Sequence, residues 1–249
     1  MLRVLVALGL LLGACTAPID AGPVTSTTSA TAPDDLSPGV VDVRSATMSD
    51  GTQIEYGLIL PEGFDPDIEY PVLLALPPGG QSIDLAVSVA TSTYLPEALT
   101  RGWVVITPAA PGGTLFFQGS ERYVGELLDS LSWIRSEDGR YHLAGISNGG
   151  RSAFAVAQLD PGRYTSMVVF PGYPESPSDA KALGNLTRLP ISMFVGGDDP
   201  GWIEPMTVTR DTLHSMGGPV SLSVREGEGH IMTSLSDGVD VFDFLDSTR

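Results

Sequence analysis

From residue 40 onward, two kinds of apolar pattern alternate along the chain. Short runs such as YPVLLALP, GWVVITP, RYHLAG, TSMVVFP, PISMFVG and PVSLSV are rich in Val, Ile and Leu and are bounded by Gly, Pro or polar residues. Unbroken apolar runs of that length predict strands buried on both faces. Between them, apolar residues recur at spacings of three and four around 84–100, 121–135, 149–159, 204–216 and 237–247, which predicts helices. Strands alternating with helices imply an α/β domain: a mostly parallel sheet covered by helices on both faces. Two β-rich runs, VVDVRSAT and QIEYGLIL, come first and flank the turn signal Ser49-Asp50-Gly51, predicting an antiparallel hairpin at the start. No internal repeat is visible. The irregular stretch 171–189 is too short for a substantial lid, so a site beneath it should be open.

The front of the chain follows different rules. Residues 1–14 carry Arg3, the apolar run VLVALGLLLG and then Ala14, the pattern of an export signal, and the run is too short to span a bilayer comfortably. The stretch Leu12-Gly13-Ala14-Cys15 resembles a bacterial lipoprotein signal, which implies cleavage ahead of Cys15 and a lipid on that residue. Residues 15–39 are rich in Thr, Ser, Ala and Pro, with almost no large apolar side chain, and read as a flexible tether. The expected organisation is signal (1–14), tether (15–39) and one catalytic-size domain (40–249), exported and lipid-anchored at the outer face of the cell membrane or in the envelope. Cys15 is the single cysteine, so no internal disulfide staples the domain.

Charge narrows the choice of partner. Thirty acidic against thirteen basic residues give a formal net charge of −17. Such a field disfavours nucleic acid and anionic polymers and favours neutral or cationic substrates.

The strongest chemical signal is Gly145-Ile146-Ser147-Asn148-Gly149-Gly150, set between the strand YHLA and the helical run RSAFAVAQL. A serine on a sharp strand-to-helix turn has its hydroxyl pushed out at the top of the sheet, and small neighbours are needed because the turn leaves no room for Cβ atoms. The spacing alone arises by chance often enough that context decides. A serine hydroxyl needs a base, usually His, held by a carboxylate. His142 lies inside a strand and His214 inside a helix, where structural or outer-face roles are the default. His230 follows the last strand in the loop REGEGHIM, where the base arrives if the chain order is Ser, acid, His. The preceding strand leads into PISMFVGGDDPGW, which offers Asp198 and Asp199.

Here a resemblance enters. Gly-x-x-Asp after an apolar strand resembles the acid loop of α/β-hydrolases, and Gly196 to Asp199 at that spacing implies Asp199 as the acid, with Asp198 as runner-up. The segment Leu76-Pro77-Pro78-Gly79-Gly80-Gln81 resembles the Leu-His-Gly-Cys-x-Gln segment of polyhydroxybutyrate-depolymerase and feruloyl- or acetylxylan-esterase relatives. Pro77-Pro78 replaces His-Gly, and proline has no N–H, so the resemblance implies Gly79, ahead of Gly80, as one oxyanion donor beside the Asn148 N–H. Serine at the elbow is unlike the dehalogenase and dienelactone hydrolase branches. The whole implies an α/β-hydrolase fold with little or no lid and a serine esterase that needs no cofactor or metal. Phe116, Phe117, Tyr173 and Trp202 fall in expected loops at strand carboxyl ends and are candidates for an apolar or aromatic substrate pocket. The expected substrate is a neutral ester, small or polymeric, with nucleic acid excluded and the membrane met only through the N-terminal lipid. A peptidase or amidase with the same triad, or a ligand-binding lipoprotein without catalysis, are the alternatives.

Overall fold

The structure is a computed structural model in which residues 31–249 are described. The signal (1–14), the lipid-attachment candidate Cys15 and most of the tether lie outside the described residues. Within 31–39, Ala32 and Leu36 pack against the core and Asp35 pairs with Arg44 at 3.1 Å, so the folded unit starts several residues before the expected boundary at 40.

Among the described residues ten strands form: β1 (Val41–Thr47), β2 (Gln53–Ile59), β3 (Glu69–Tyr70), β4 (Val72–Leu76), β5 (Val104–Pro108), β6 (Arg135–Ser136), β7 (Tyr141–Gly145), β8 (Tyr164–Val169), β9 (Ile191–Gly196) and β10 (Val220–Arg225). The helices are α1 (Ile83–Val89), α2 (Leu95–Arg101), α3 (Arg122–Ser130), α4 (Asn148–Leu159), α5 (Ala180–Leu183), α6 (Pro200–Ser215) and α7 (Val239–Asp246). Eight strands make one sheet in the order β1-β2-β5-β4-β7-β8-β9-β10, while β3 and β6 pair separately. The pairs β1/β2 and β2/β5 are antiparallel, and every later pair is parallel, as expected from the leading hairpin and the βα alternation.

Period-two alternation divides the apolar side chains between two cores. Val72, Leu74 and Leu76 of β4 join Val104, Ile106, Leu143, Met193 and Val195 on the face covered by α3, α4 and α6. Leu73 and Ala75 point the other way, with Val105, Ala144 and Val168, toward α2 and α7. Both faces are sealed along the inner strands β4, β5, β7, β8 and β9, which is why their runs are so apolar, whereas β10, expected to be buried on both faces, lies at the sheet edge and is only partly buried, with Val224 exposed.

The helix expected over 84–100 forms as α1 and α2 joined by the wider π-helical turns Ala90–Tyr94, so the chain stays helical throughout. The stretch 171–189 contains the short helix α5, capped by the Asp179 side chain on the N–H groups of Lys181 and Ala182. Neighbours β4 and β7 sit where the strand order changes direction, which opens a crevice at their carboxyl ends.

Candidate active site

Between the end of β7 at Gly145 and the start of α4 at Asn148, Ile146 and Ser147 carry the whole reversal from strand to helix. Ser147 adopts φ 57° and ψ −117°, a conformation that costs a side-chain-bearing residue about 1–3 kcal/mol. The surroundings hold it there. Ser147 N–H donates to Pro171 O (2.8 Å), Ile146 N–H to Leu76 O (3.3 Å), Gly149 N–H to Ile146 O (2.7 Å) and Arg151 N–H to Ser147 O (3.1 Å). A Cβ at Gly145 would overlap the Gly149 carbonyl, one at Gly149 the Leu76 carbonyl, and one at Gly150 the Pro171 carbonyl. The motif's glycines therefore let α4 start in contact with β4 and with the loop after β8.

Two loops converge on Ser147. His230 Nε2 lies 2.9 Å from Ser147 Oγ, and His230 Nδ1 lies 2.7 Å from Asp199 Oδ2. The His230 side chain is 40% exposed and that of Asp199 14%, so the carboxylate is shielded while the imidazole faces the open site. Asp198 is exposed, and its backbone N–H donates to Glu228 O (2.8 Å). A Cβ at Gly196 would overlap the Glu228 and Gly229 carbonyls, so glycine there allows the loop after β9 to touch the loop after β10. The Glu228 carboxylate accepts from Ser234 Oγ (2.6 Å), Ser234 N–H (2.8 Å) and Thr233 Oγ1 (2.8 Å), closing a short loop around His230. Those bonds, Ser234 foremost, hold its pKa below the usual range. Glu228 had no signal in the sequence beyond its nearness to His230.

The other histidines stay away from the site. His142 is buried, with Nδ1 2.8 Å from Ser166 Oγ and its ring 4.8 Å from Trp103. His214 is exposed near the end of α6.

Beside the elbow, Pro78 O accepts from Gln81 N–H at 3.0 Å and closes a tight turn in which Gly79 has φ 58°. The trans peptide sets the Gly79 N–H opposite the Pro78 carbonyl, so this N–H points out of the turn; it has no partner among the described residues. The Asn148 side chain donates to Gly79 O at 2.9 Å and ties the turn to the elbow, while the Asn148 N–H belongs to the first turn of α4, where no intrahelical acceptor exists. Gln81 is fully buried. Its Nε2 donates to Ser152 Oγ (2.9 Å) and Pro77 O (3.2 Å), and its Oε1 accepts the Phe116 N–H (2.9 Å), so it positions the turn.

A cavity of about 460 Å³ opens on Ser147 and His230 and is mainly apolar, with Val89, Ile146, Phe170, Ile231, Met232 and Leu235 among its walls. None of the four aromatic residues expected to form a pocket lines it. Phe116 is a correction outright: it is fully buried in the core under the turn 116–120, so it cannot meet substrate. Phe117, Tyr173 and Trp202 are half-buried and form a separate wall that reaches His230, with the Trp202 ring 4.9 Å from the imidazole. The cavity's walls come from the π-helical join before α2 and from Ile-Met directly after His230. That apolar pair beside the expected base was the available sequence signal. Among the described residues, no cluster of three or more His, Cys, Asp or Glu side chains is arranged to hold a metal ion.

No family model matches the chain. Its structure is similar to that of an S-formylglutathione hydrolase from Agrobacterium tumefaciens, with TM-score 0.67 and 16% identity over 83% of this chain and 95% of that one. It is also similar to a thermostable esterase, with TM-score 0.65 and 18% identity over 82% of this chain and 60% of that longer one. A ferulic acid esterase matches with TM-score 0.63 and 18% identity over 84% and 97% of the two chains. The architecture shared with these proteins is the α/β-hydrolase fold. The chain spans nearly the full length of the S-formylglutathione hydrolase and the ferulic acid esterase and about three fifths of the thermostable esterase.

Proposed function

We propose that this chain is a serine hydrolase that cleaves carboxylic esters through an acyl-enzyme. One observation carries the reading: Ser147, His230 and Asp199, from three separate loops, form one hydrogen-bonded series with 2.9 and 2.7 Å links at the mouth of an apolar cavity. In this reading His230 takes the Ser147 proton as Oγ attacks the ester carbonyl, and the Asn148 and Gly79 N–H groups hold the oxyanion. The imidazolium then gives that proton to the leaving alcohol as the acyl C–O bond breaks. Water, deprotonated by His230, hydrolyses the acyl-enzyme, and the proton returns to Ser147. Asp199 fixes the imidazole tautomer and supports the imidazolium throughout. The cavity's volume and apolar walls suit the acyl portion of the ester.

Labelling with a fluorophosphonate and kinetics on a panel of aryl esters and anilides test the proposal. Wild type is expected to label and to turn over esters, with Ser147→Ala and His230→Ala losing labelling and about 10⁴-fold or more in kcat while folding normally. Turnover retained by folded Ser147→Ala would remove the nucleophile assignment. Anilide cleavage at rates comparable to ester cleavage would favour the amidase reading. Folded wild-type protein that neither labels nor turns over would favour a binding lipoprotein.

The proposal extends to location. Export and a lipid on Cys15 are supported by the pattern of residues 1–15. Radiolabelled palmitate should enter the wild-type chain and not Cys15→Ala.

A further inference from the structure

The half-buried aromatic wall of the site contains a cation. From His230 outward, the Trp202 ring lies 4.9 Å from the imidazole, the Tyr173 ring 4.9 Å from Trp202, and the Arg151 guanidinium 5.4 Å from the Tyr173 ring and 4.4 Å from that of Phe117. Arg151 stands one helical turn beyond Ser147 on α4, with its N–H on the Ser147 carbonyl.

Seven of the ten other arginines among the described residues are neutralised by carboxylates, whereas Arg122, Arg140 and Arg188, like Arg151, have no ion pair. Among the described residues, Arg151 has neither an ion pair nor a side-chain hydrogen bond, and its Nε is buried without a partner. What sets Arg151 apart is its place: an uncompensated cation with a buried, unbonded Nε lies in the aromatic wall that reaches His230. The two rings hold the guanidinium in place without neutralising it. A planar donor fork fixed in this way is suited to a carboxylate, which it meets through two parallel hydrogen bonds.

We infer that Arg151 binds a carboxylate carried on the arm of the ester outside the apolar cavity, so that preferred substrates have an acidic alcohol portion. The inference rests on the esterase reading for its orientation, because the wall begins at the face of His230, the group that returns a proton to the leaving alcohol. It also revises the expectation drawn from net charge, which pointed to substrates without negative charge.

The test compares 4-acetoxybenzoate with 4-acetoxybenzamide, which share the acyl group and differ in the charge of the alcohol portion. Wild type is expected to favour the carboxylate in kcat/KM, and Arg151→Gln to lose about tenfold or more of that ratio, the scale of a charge-assisted contact. Arg151→Lys, which keeps charge without the planar fork, should retain part of the preference. An unchanged ratio in folded Arg151→Gln overturns the inference and leaves the esterase reading standing. A second measurement depends neither on turnover nor on an Arg151 variant. Calorimetric titration of Ser147→Ala with 4-hydroxybenzoate and 4-hydroxybenzamide should show the carboxylate binding about tenfold or more tightly, and equal affinities would overturn the inference. If wild type fails to label with fluorophosphonate, the hydrolase proposal falls while this titration still decides whether the site takes a carboxylate.

Discussion

Asp198 and Asp199 are adjacent carboxylates at the end of one strand, and the fold gives them different surroundings. Asp199 is turned inward to His230 at 2.7 Å, whereas Asp198 is exposed and engages Glu228 only through its backbone N–H. Replacing Asp199 by Asn keeps the volume but favours the wrong imidazole tautomer and withdraws support from the imidazolium. Asp199→Asn should therefore lower kcat by about 10³–10⁴-fold. Asp198→Asn should stay within about threefold, since it alters only an exposed side chain. Steady-state ester kinetics on both variants check this, and reversed magnitudes would transfer the acid role to Asp198. The candidates Ser147, Asp199 and His230 were legible because each sits at the end of a strand whose own pattern was plain. Phe116 departs from its expected place in the pocket for the complementary reason. Its position after β5 is visible in the sequence, but the direction of its side chain depends on the turn 116–120, where Gly119 adopts φ 119°. Arg151 carried no signal, because an arginine in a helix is ordinary until its neighbours are known.

Among the elements, the sheet was the most legible part, because strands sealed on both faces leave long apolar runs in the sequence. The pair β3/β6 was not, since two residues per strand carry no period. The rear face of the sheet holds a titration that the sequence suggested only as a strand histidine. His142 on β7 is packed against Trp103 and bonded to Ser166 on β8, and burial lowers its pKa from 6.5 to about 4, with Arg249 and Arg140 adding repulsion and Glu137 and Asp246 opposing it. Between those two values the unfolded chain binds a proton that the folded chain refuses. Stability is therefore undiminished above pH 6.5 and falls as pH drops toward 4, by about 3 kcal/mol in all. Asp246, whose burial is outweighed by hydrogen bonds from Arg101, Trp103 and Arg249, has a lowered pKa and adds its own loss only below the ordinary aspartate range. Urea unfolding at intervals from pH 7 to 4.5 should show a falling free energy in wild type and a much flatter profile in His142→Asn. Parallel profiles would show that His142 is not the titrating group.

Across the whole molecule, long-range and short-range electrostatics act on substrate in opposite senses. A net charge of −17 repels an anion approaching from a distance, while Arg151 attracts it only once it has reached the site. Composition made the sign of the first term legible but could not reveal the second, which depends on where Arg151 sits relative to the site. The two terms differ in range. The Debye length shrinks from about 30 Å at 0.01 M salt to about 8 Å at 0.15 M, which removes most of the global repulsion but weakens a half-buried contact of a few ångströms much less. Accordingly, kcat/KM for 4-acetoxybenzoate should rise several-fold over that range of salt while that for 4-acetoxybenzamide stays nearly flat. Arg151→Gln should keep the rise at a lower absolute level, because the variant leaves the other acidic residues in place. A fall with salt for the anionic ester in wild type would mean that the field at the mouth of the site is positive, and that the acidic surface does not govern the approach of substrate.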